Sequence, residues 1–229
     1  MANKGETKCL KLQKAQKISG IDKTKRFLIN PRPGKHTKKT AVSIGFVIRD
    51  ILHLADNLRE VKFILNNKEI IVDKKRVSDF RLPVGLFDVI EVPKVNKLYR
   101  VVSSSNGSYT VKEITKDEAN YKICKITKKT LIKNGVVQLV TNDGRVILTT
   151  NKAYKPKASI KLDLEENKIK EYYPLEKDRE ILVIGGKHVG LTAKIIHVTE
   201  GTMQRFTLIK AKTNNVEFET IEKNVIVIN

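Results

Sequence analysis

Lys8, Lys11, Lys14 and Lys17 recur at every third position, and Lys23, Lys25 and Arg26 follow them. A Pro-Gly bend, Pro31-Arg32-Pro33-Gly34, then leads into Lys35, His36, Lys38 and Lys39. Cations at this density suit a phosphate backbone: each one that meets it releases condensed counterions, and no base has to be read for that gain. Residues 1–40 carry twelve Lys/Arg against two acids, so half of the net charge of +20 lies in the first forty residues. The stretch has too few large apolar residues to build a core alone. It predicts a basic arm that orders on a polyanion rather than a solvated tail, because the excess of cations surpasses what solubility requires.

Other chemistries lack their residues. Cys9 and Cys124 have no CxxC neighbour, and none of His36, His53, His188 and His197 stands near them at metal-ligand spacing. The cysteines read as free thiols of a reducing compartment. HExxH, GxSxG, a paired Cys-His and a GxxxxGK phosphate loop are all absent. Asp79, Asp88 and Asp143 are the carboxylates that stand out. Asp143 is accounted for by its turn, and Asp79 and Asp88 by capping or another satisfied structural bond. No catalytic residue, metal, cofactor or small-molecule substrate is therefore expected. Apolar runs fall far short of the ~20 residues of a membrane span, and the N-terminus lacks the apolar core of a signal peptide. Residues 1–40 also lack the amphipathic face with aromatic anchors of a membrane-surface segment. A soluble, intracellular protein without a membrane partner is expected.

The elements that must position these cations follow from apolar spacing. Ile44, Val47, Ile48, Ile51, Leu52 and Leu58 make one helical stripe, and a second short helix fits Leu58 to Leu65. EIIVD, from Glu69 to Asp73, reads as strand and runs into the basic cluster Lys74-Lys75-Arg76. Pro83 and Gly85 bracket a turn before the apolar run Leu86 to Val92. Residues 41–93 balance at eight basic and eight acidic groups, so binding by this module would depend on placement. Arg49, Arg59, Lys74, Lys75 and Arg76 are its candidate phosphate contacts.

Beyond Pro93 short strands alternate with turn signals at Asn106-Gly107, Asn134-Gly135, Asn142-Asp143-Gly144 and Glu165-Glu166-Asn167, which predicts antiparallel sheet. Thr115 to Tyr121 is the expected helical turn, with Thr115 as N-cap. Residues 94–175 carry seventeen basic and eight acidic groups. Their lysines suit either edge protection against aggregation or a second RNA-facing surface. From Glu180 an apolar strand enters Gly185-Gly186, passes Lys187, His188 and Gly190, and resumes as strand at Thr192. Glycines here permit positive φ and close backbone approach to phosphate or a base edge. Three further strands, within QRFTLIKA, VEFETI and VIVI, would complete a five-stranded barrel.

LPVGLFDVI (Leu82 to Ile90), EANYKICKI (Glu118 to Ile126), VQLVTNDGRVI (Val137 to Ile147) and IRDILHLADNLREV (Ile48 to Val61) resemble the S-four-e family of small-subunit ribosomal proteins, along nearly the whole chain. The resemblance implies an α+β, predominantly β fold in four parts. These are a basic arm over 1–42, an S-four-type RNA-binding domain over 43–93, a central antiparallel β domain over 94–175, and an SH3-like barrel with a KOW motif over 176–229. It implies small-subunit ribosomal RNA and neighbouring ribosomal proteins as partners, a cytoplasmic place in that subunit, and no catalysis. Departures from the family pattern fall at Lys74 and Ala193, where glycine is usual, at Val77 in place of arginine, and at Gln16 and Ser19 in the arm. Competing readings are an RNA-modifying enzyme using the same module and a KOW-bearing transcription factor. The first lacks a catalytic constellation in this sequence, and the second resembles only the last fifty or so residues.

Overall fold

Alternating apolar residues between turn dipeptides fold into antiparallel strands throughout the computed structural model, which describes residues 8–10, 26–202, 204–213 and 216–229. The fold is mostly β with few helices. The chain divides into two units, residues 1–103 with 108–122, and residues 104–107 with 123–229. No helix among the described residues is long and apolar enough to cross a membrane.

In the first unit β1 (Lys8–Leu10) pairs with β2 (Phe27–Ile29), burying Cys9 and Leu28. Strand pairing thus ties together two points of the basic arm, an order that its charge alone does not predict. β3 (Val42–Ser43) pairs with β6 (Pro83–Val84). Between them α1 (Ile44–Phe46) opens into a π-helical turn over Val47–Ile51. Ile44, Val47 and Ile48 of the expected stripe are buried, and Ile51 and Leu52 half-buried. The stripe does not continue as helix to Leu58, because the chain leaves it at His53 in the left-handed region (φ 51). α2 (Leu58–Asn66) begins where expected. Asn57 caps it, its Oδ1 accepting from the amides of Arg59 at 2.9 Å and Glu60 at 3.1 Å. Glu60 reaches back to accept from the Asp56 amide at 2.8 Å. Val61 and Leu65 turn into the core.

The main sheet of this unit has the order β5-β4-β7-β8-β9, with β4 Ile71–Val72, β5 Lys75–Arg76, β7 Val89–Val92, β8 Lys97–Ser103 and β9 Tyr109–Glu113. β7 pairs with β8 across the Pro93 turn, so the sheet continues into the hairpin around Asn106-Gly107. α3 (Lys116–Ala119) starts after Thr115 as expected, although the Thr115 side chain makes no capping bond.

The second unit holds two five-stranded antiparallel sheets. The first, β12-β11-β10-β13-β14, comprises β10 (Tyr121–Leu131), β11 (Val137–Thr141), β12 (Val146–Thr149), β13 (Ser159–Asp163) and β14 (Ile169–Tyr173). Its turns fall at the three signals read from sequence, and its buried face joins Cys124, Ile126, Val137, Leu139, Ile160 and Leu162. The second, β18-β17-β16-β15-β19, comprises β15 (Glu180–Val183), β16 (Thr192–Thr199), β17 (Leu208–Thr213), β18 (Val216–Ile221) and β19 (Val225–Val227). Ala193, where the family pattern has glycine, is buried in its core with Ile181, Ile195, Ile209 and Val227.

Candidate nucleic-acid interface

Two turns of the first unit place carboxylates in the interior. Asp73 closes β4 with φ 48, and Asp88 precedes β7. Both accept backbone amides: Asp73 Oδ1 from Val89 on β7 at 3.0 Å, and Asp88 Oδ2 from Gly85 at 2.9 Å. Three cationic or titratable side chains converge on them. Lys122, 1% exposed, reaches Asp88 and lies 3.3 Å from Asp73 Oδ2. Lys35 Nζ donates to Asp73 at 2.8 Å, and His36 Nε2 stands 3.0 Å from Asp88 Oδ2. Burial, the largest single influence, pushes both carboxyls up. Lys122 with Lys35 outweighs it at Asp73, and Lys122 with His36 outweighs both burial and the neighbouring Asp73 charge at Asp88. Both aspartates therefore end below the ordinary carboxylate range. Gly85 allows the approach, since a Cβ there would lie 2.6 Å from His36 Nδ1.

His36 is thus not a phosphate-facing cation: it is 6% exposed, and Asp88 holds its imidazole. Lys35 is drawn inward in the same way, its ammonium on Asp73. Arg49 is half-buried and forks onto Asp50 at 2.7 and 3.0 Å. Lys74 ion-pairs with Glu91 at 3.0 Å and adopts φ 63, a conformation that the glycine expected from the resemblance would take without strain. Arg32 pairs with Asp79 at 2.9 Å on the surface, a contact of small worth that leaves the guanidinium within reach of solvent.

Lys8, Arg26, Lys38, Lys39, Arg59, Lys75 and Arg76 are exposed. Lys75 and Arg76 form β5 at the edge of the main sheet, two residues beyond the aspartate that holds Lys35. The structure therefore gathers Lys35 and the 74–76 cluster at one turn, while Arg59 stands on α2. Lys11, Lys14, Lys17, Lys23 and Lys25 lie outside the described residues.

In the second unit Lys187 is exposed at the tip of the glycine turn, and His188 stacks on Phe218 with ring centroids 4.4 Å apart. Gly190, at φ 83, passes so close to the Asn106-Gly107 hairpin that a Cβ would meet Ser104 O at 2.2 Å. The central lysines take several roles. Lys125 is buried and donates to the carbonyls of Glu222 and Val225, Lys157 pairs with Glu222, and Lys128, Lys133, Lys152 and Lys155 are exposed. Sequence reasoning missed the structural roles of Lys122 and Lys125. For Lys122 the signal lay in strand alternation, which sets it on the same face as Cys124 and Ile126.

Among the described residues no cluster of His, Cys, Asp and Glu could hold a metal. The outstanding carboxylates are engaged structurally: Asp79 on Arg32 and the Arg81 amide, Asp88 in the buried cluster, and Asp143 on Arg145 and Thr141. Exposed cations on the edges and turns of a β-rich chain suit the class of structural proteins that bind polyanions. The comparisons sharpen that class. The model of ribosomal family S4e matches residues 95–169. The small ribosomal subunit protein eS4 of Nanoarchaeum equitans is 38% identical over 200 residues, 87% of this chain and 85% of that protein. Its counterpart in Methanosphaera stadtmanae is 35% identical over 229 residues, 100% and 95% of the two chains. The crystal structure of the 30S ribosomal protein S4e from Thermoplasma acidophilum matches with a TM-score of 0.72 at 30% identity, over 82% of this chain and 95% of that one. The chain belongs to ribosomal family S4e.

Proposed function

We propose that this protein is a structural constituent of the small ribosomal subunit that binds ribosomal RNA through its arm and exposed turn cations. The observation that carries the proposal is family membership over nearly the full chain, joined to a net charge of +20 concentrated in the arm and residues 94–175. Catalysis has no part in it, in keeping with a structural family. In this reading residues 43–93 act as an S-four-type RNA-binding domain and residues 94–175 as a central β domain. The β15–β19 sheet acts as an SH3-like barrel whose KOW turn presents Lys187. The phosphate contacts are Lys8, Lys11, Lys14, Lys17, Lys23, Lys25, Arg26, Arg32, Lys38 and Lys39 of the arm, with Arg59, Lys75, Arg76 and Lys187. Neighbouring ribosomal proteins are the remaining partners, and the assembled subunit is cytoplasmic.

Because Lys35 and His36 are built into the buried cluster, the arm is tested by substitution rather than by truncation through residue 40. Lys→Gln at positions 11, 14, 17, 23 and 25 should weaken binding to structured small-subunit RNA. The slope of log affinity against log salt should become shallower by up to about four units, roughly 0.7 to 0.9 for each phosphate that is no longer neutralised. An unchanged slope would remove the arm from the interface. Charge reversal at Lys187 should matter less than removal of the arm cations.

A further inference from the structure

Phe206, in the loop between β16 and β17, exposes 53% of its surface, and several residues around it are engaged with one another. Lys223 sets its ammonium 3.9 Å from the ring centroid. The neighbours of these two residues bond to each other, the Glu222 amide donating to Thr207 O at 3.1 Å. Buried Thr207 accepts through Oγ1 from the Gly201 amide at 3.2 Å and from Lys157 Nζ at 3.1 Å. Lys157 Nζ also lies 2.6 Å from Glu222 Oε2, an ion pair by charge and distance. Beneath them Lys125 donates to the carbonyls of Glu222 and Val225. The loop closes tightly, for a Cβ at Gly201 would meet Arg205 O at 2.4 Å. A pocket of about 230 Å³ beside the ring is lined by Gln204, Arg205, Lys157 and Glu222.

We infer that the face of Phe206 turned away from Lys223 is a stacking platform for one unpaired RNA base, with Lys223 and Arg205 supplying the cations beside it. The inference rests on the RNA-binding reading above and adds a ligand subsite to it. An aromatic face stacks on any base, and single-stranded RNA is recognised by such faces flanked by cations. Lys157 and Arg205 line the pocket beside the ring, and Glu222, the carboxylate among its described lining residues, is already engaged by Lys157. An apolar knob of a partner protein would bring no anion to these cations, whereas a nucleotide brings one.

The full chain has no tryptophan, so Phe206→Trp introduces a single indole reporter that keeps an aromatic face. Labelled oligoadenylate and a blunt RNA duplex of equal length serve as probes, with binding read by anisotropy. Phe206→Leu should bind oligoadenylate about tenfold more weakly at fixed salt, the loss expected for one stacked base, with an unchanged salt slope and unchanged duplex affinity. Phe206→Trp should hold its affinity, and its emission should quench with oligoadenylate and not with duplex. Undiminished oligoadenylate binding by Phe206→Leu, or Trp emission that stays constant while oligoadenylate binds, overturns the inference and leaves the RNA-binding reading intact. If Phe206→Leu loses only its incorporation into small subunits, the ring faces a protein and the inference is likewise overturned. A parent chain that binds neither probe overturns the RNA-binding reading itself, and the inference with it.

Discussion

Lys122 can be enclosed at 1% exposure only because two carboxylates reach it. A buried pair is costly to form and more costly to break, since removing one partner strands the other charge. Lys35 and His36 extend the set, so the end of the basic arm is held by the same aspartates as the first residues of β10. Asp73 and Asp88 both titrate below their ordinary value of 3.8. A carboxylate depressed in the folded state contributes stability that is fully present above its unfolded value and is lost as pH falls through its folded value. The melting temperature should therefore hold above pH ~4 and drop steeply below it. Asp88→Asn should start from a lower melting temperature and show a shallower drop, as followed by circular dichroism between pH 2 and 6. A parent profile with no acid drop would remove the cluster from the stability account. At this scale the sequence is legible only in part. LPVGLFDVI is one of the stretches that carry the family resemblance, and in the structure it sets Gly85 against His36, Phe87 at φ 65 and Asp88 in the cluster. The pairing of Asp88 with residues 52 and 34 positions away was not legible, because a local pattern carries no trace of which distant cation completes it.

Elements whose shape is set by neighbouring residues were the readable ones. Asn106-Gly107, Asn134-Gly135 and Asn142-Asp143-Gly144 each supply a glycine at positive φ, and each becomes a chain reversal between paired strands. α2 starts after Asn57 because that side chain satisfies two of the orphan amides of the first turn. Asn57→Ala should cost about 1 kcal/mol of stability in urea unfolding, with the salt slope of RNA binding unchanged, since no cation is removed. A cost near zero would mean that burial of Val61 and Leu65 fixes the helix without its cap. α1 was less readable. Its apolar spacing is helical, but the turn over Val47–Ile51 widens to a π-helical one and the chain departs at His53, choices made by packing rather than by propensity. The continuity of β7 with β8 was likewise hidden, because Pro93 reads as a stop in sequence and acts as a turn within one sheet.

Across the whole molecule charge is the feature that function reads most directly. The arm and residues 94–175 hold nearly all of the +20 excess, while residues 41–93 are balanced. The structure refines that map by drawing Lys35, His36, Lys122 and Lys125 into interior contacts, while Lys8, Arg26, Lys38 and Lys39 of the arm, Arg59 of α2, the β5 pair, Lys187 and several lysines of residues 94–175 are exposed. A chain built in this way has small cores and many surface lysines, and suits a long contact with folded RNA better than a cleft for a small substrate. Sedimentation tests this most directly: cell extract resolved on a sucrose gradient, with the protein followed by immunoblot at physiological and at high ionic strength. The account predicts that it travels with the small subunit in both and is never abundant at the top of the gradient. Protein found free of ribosomes at physiological ionic strength would contradict it.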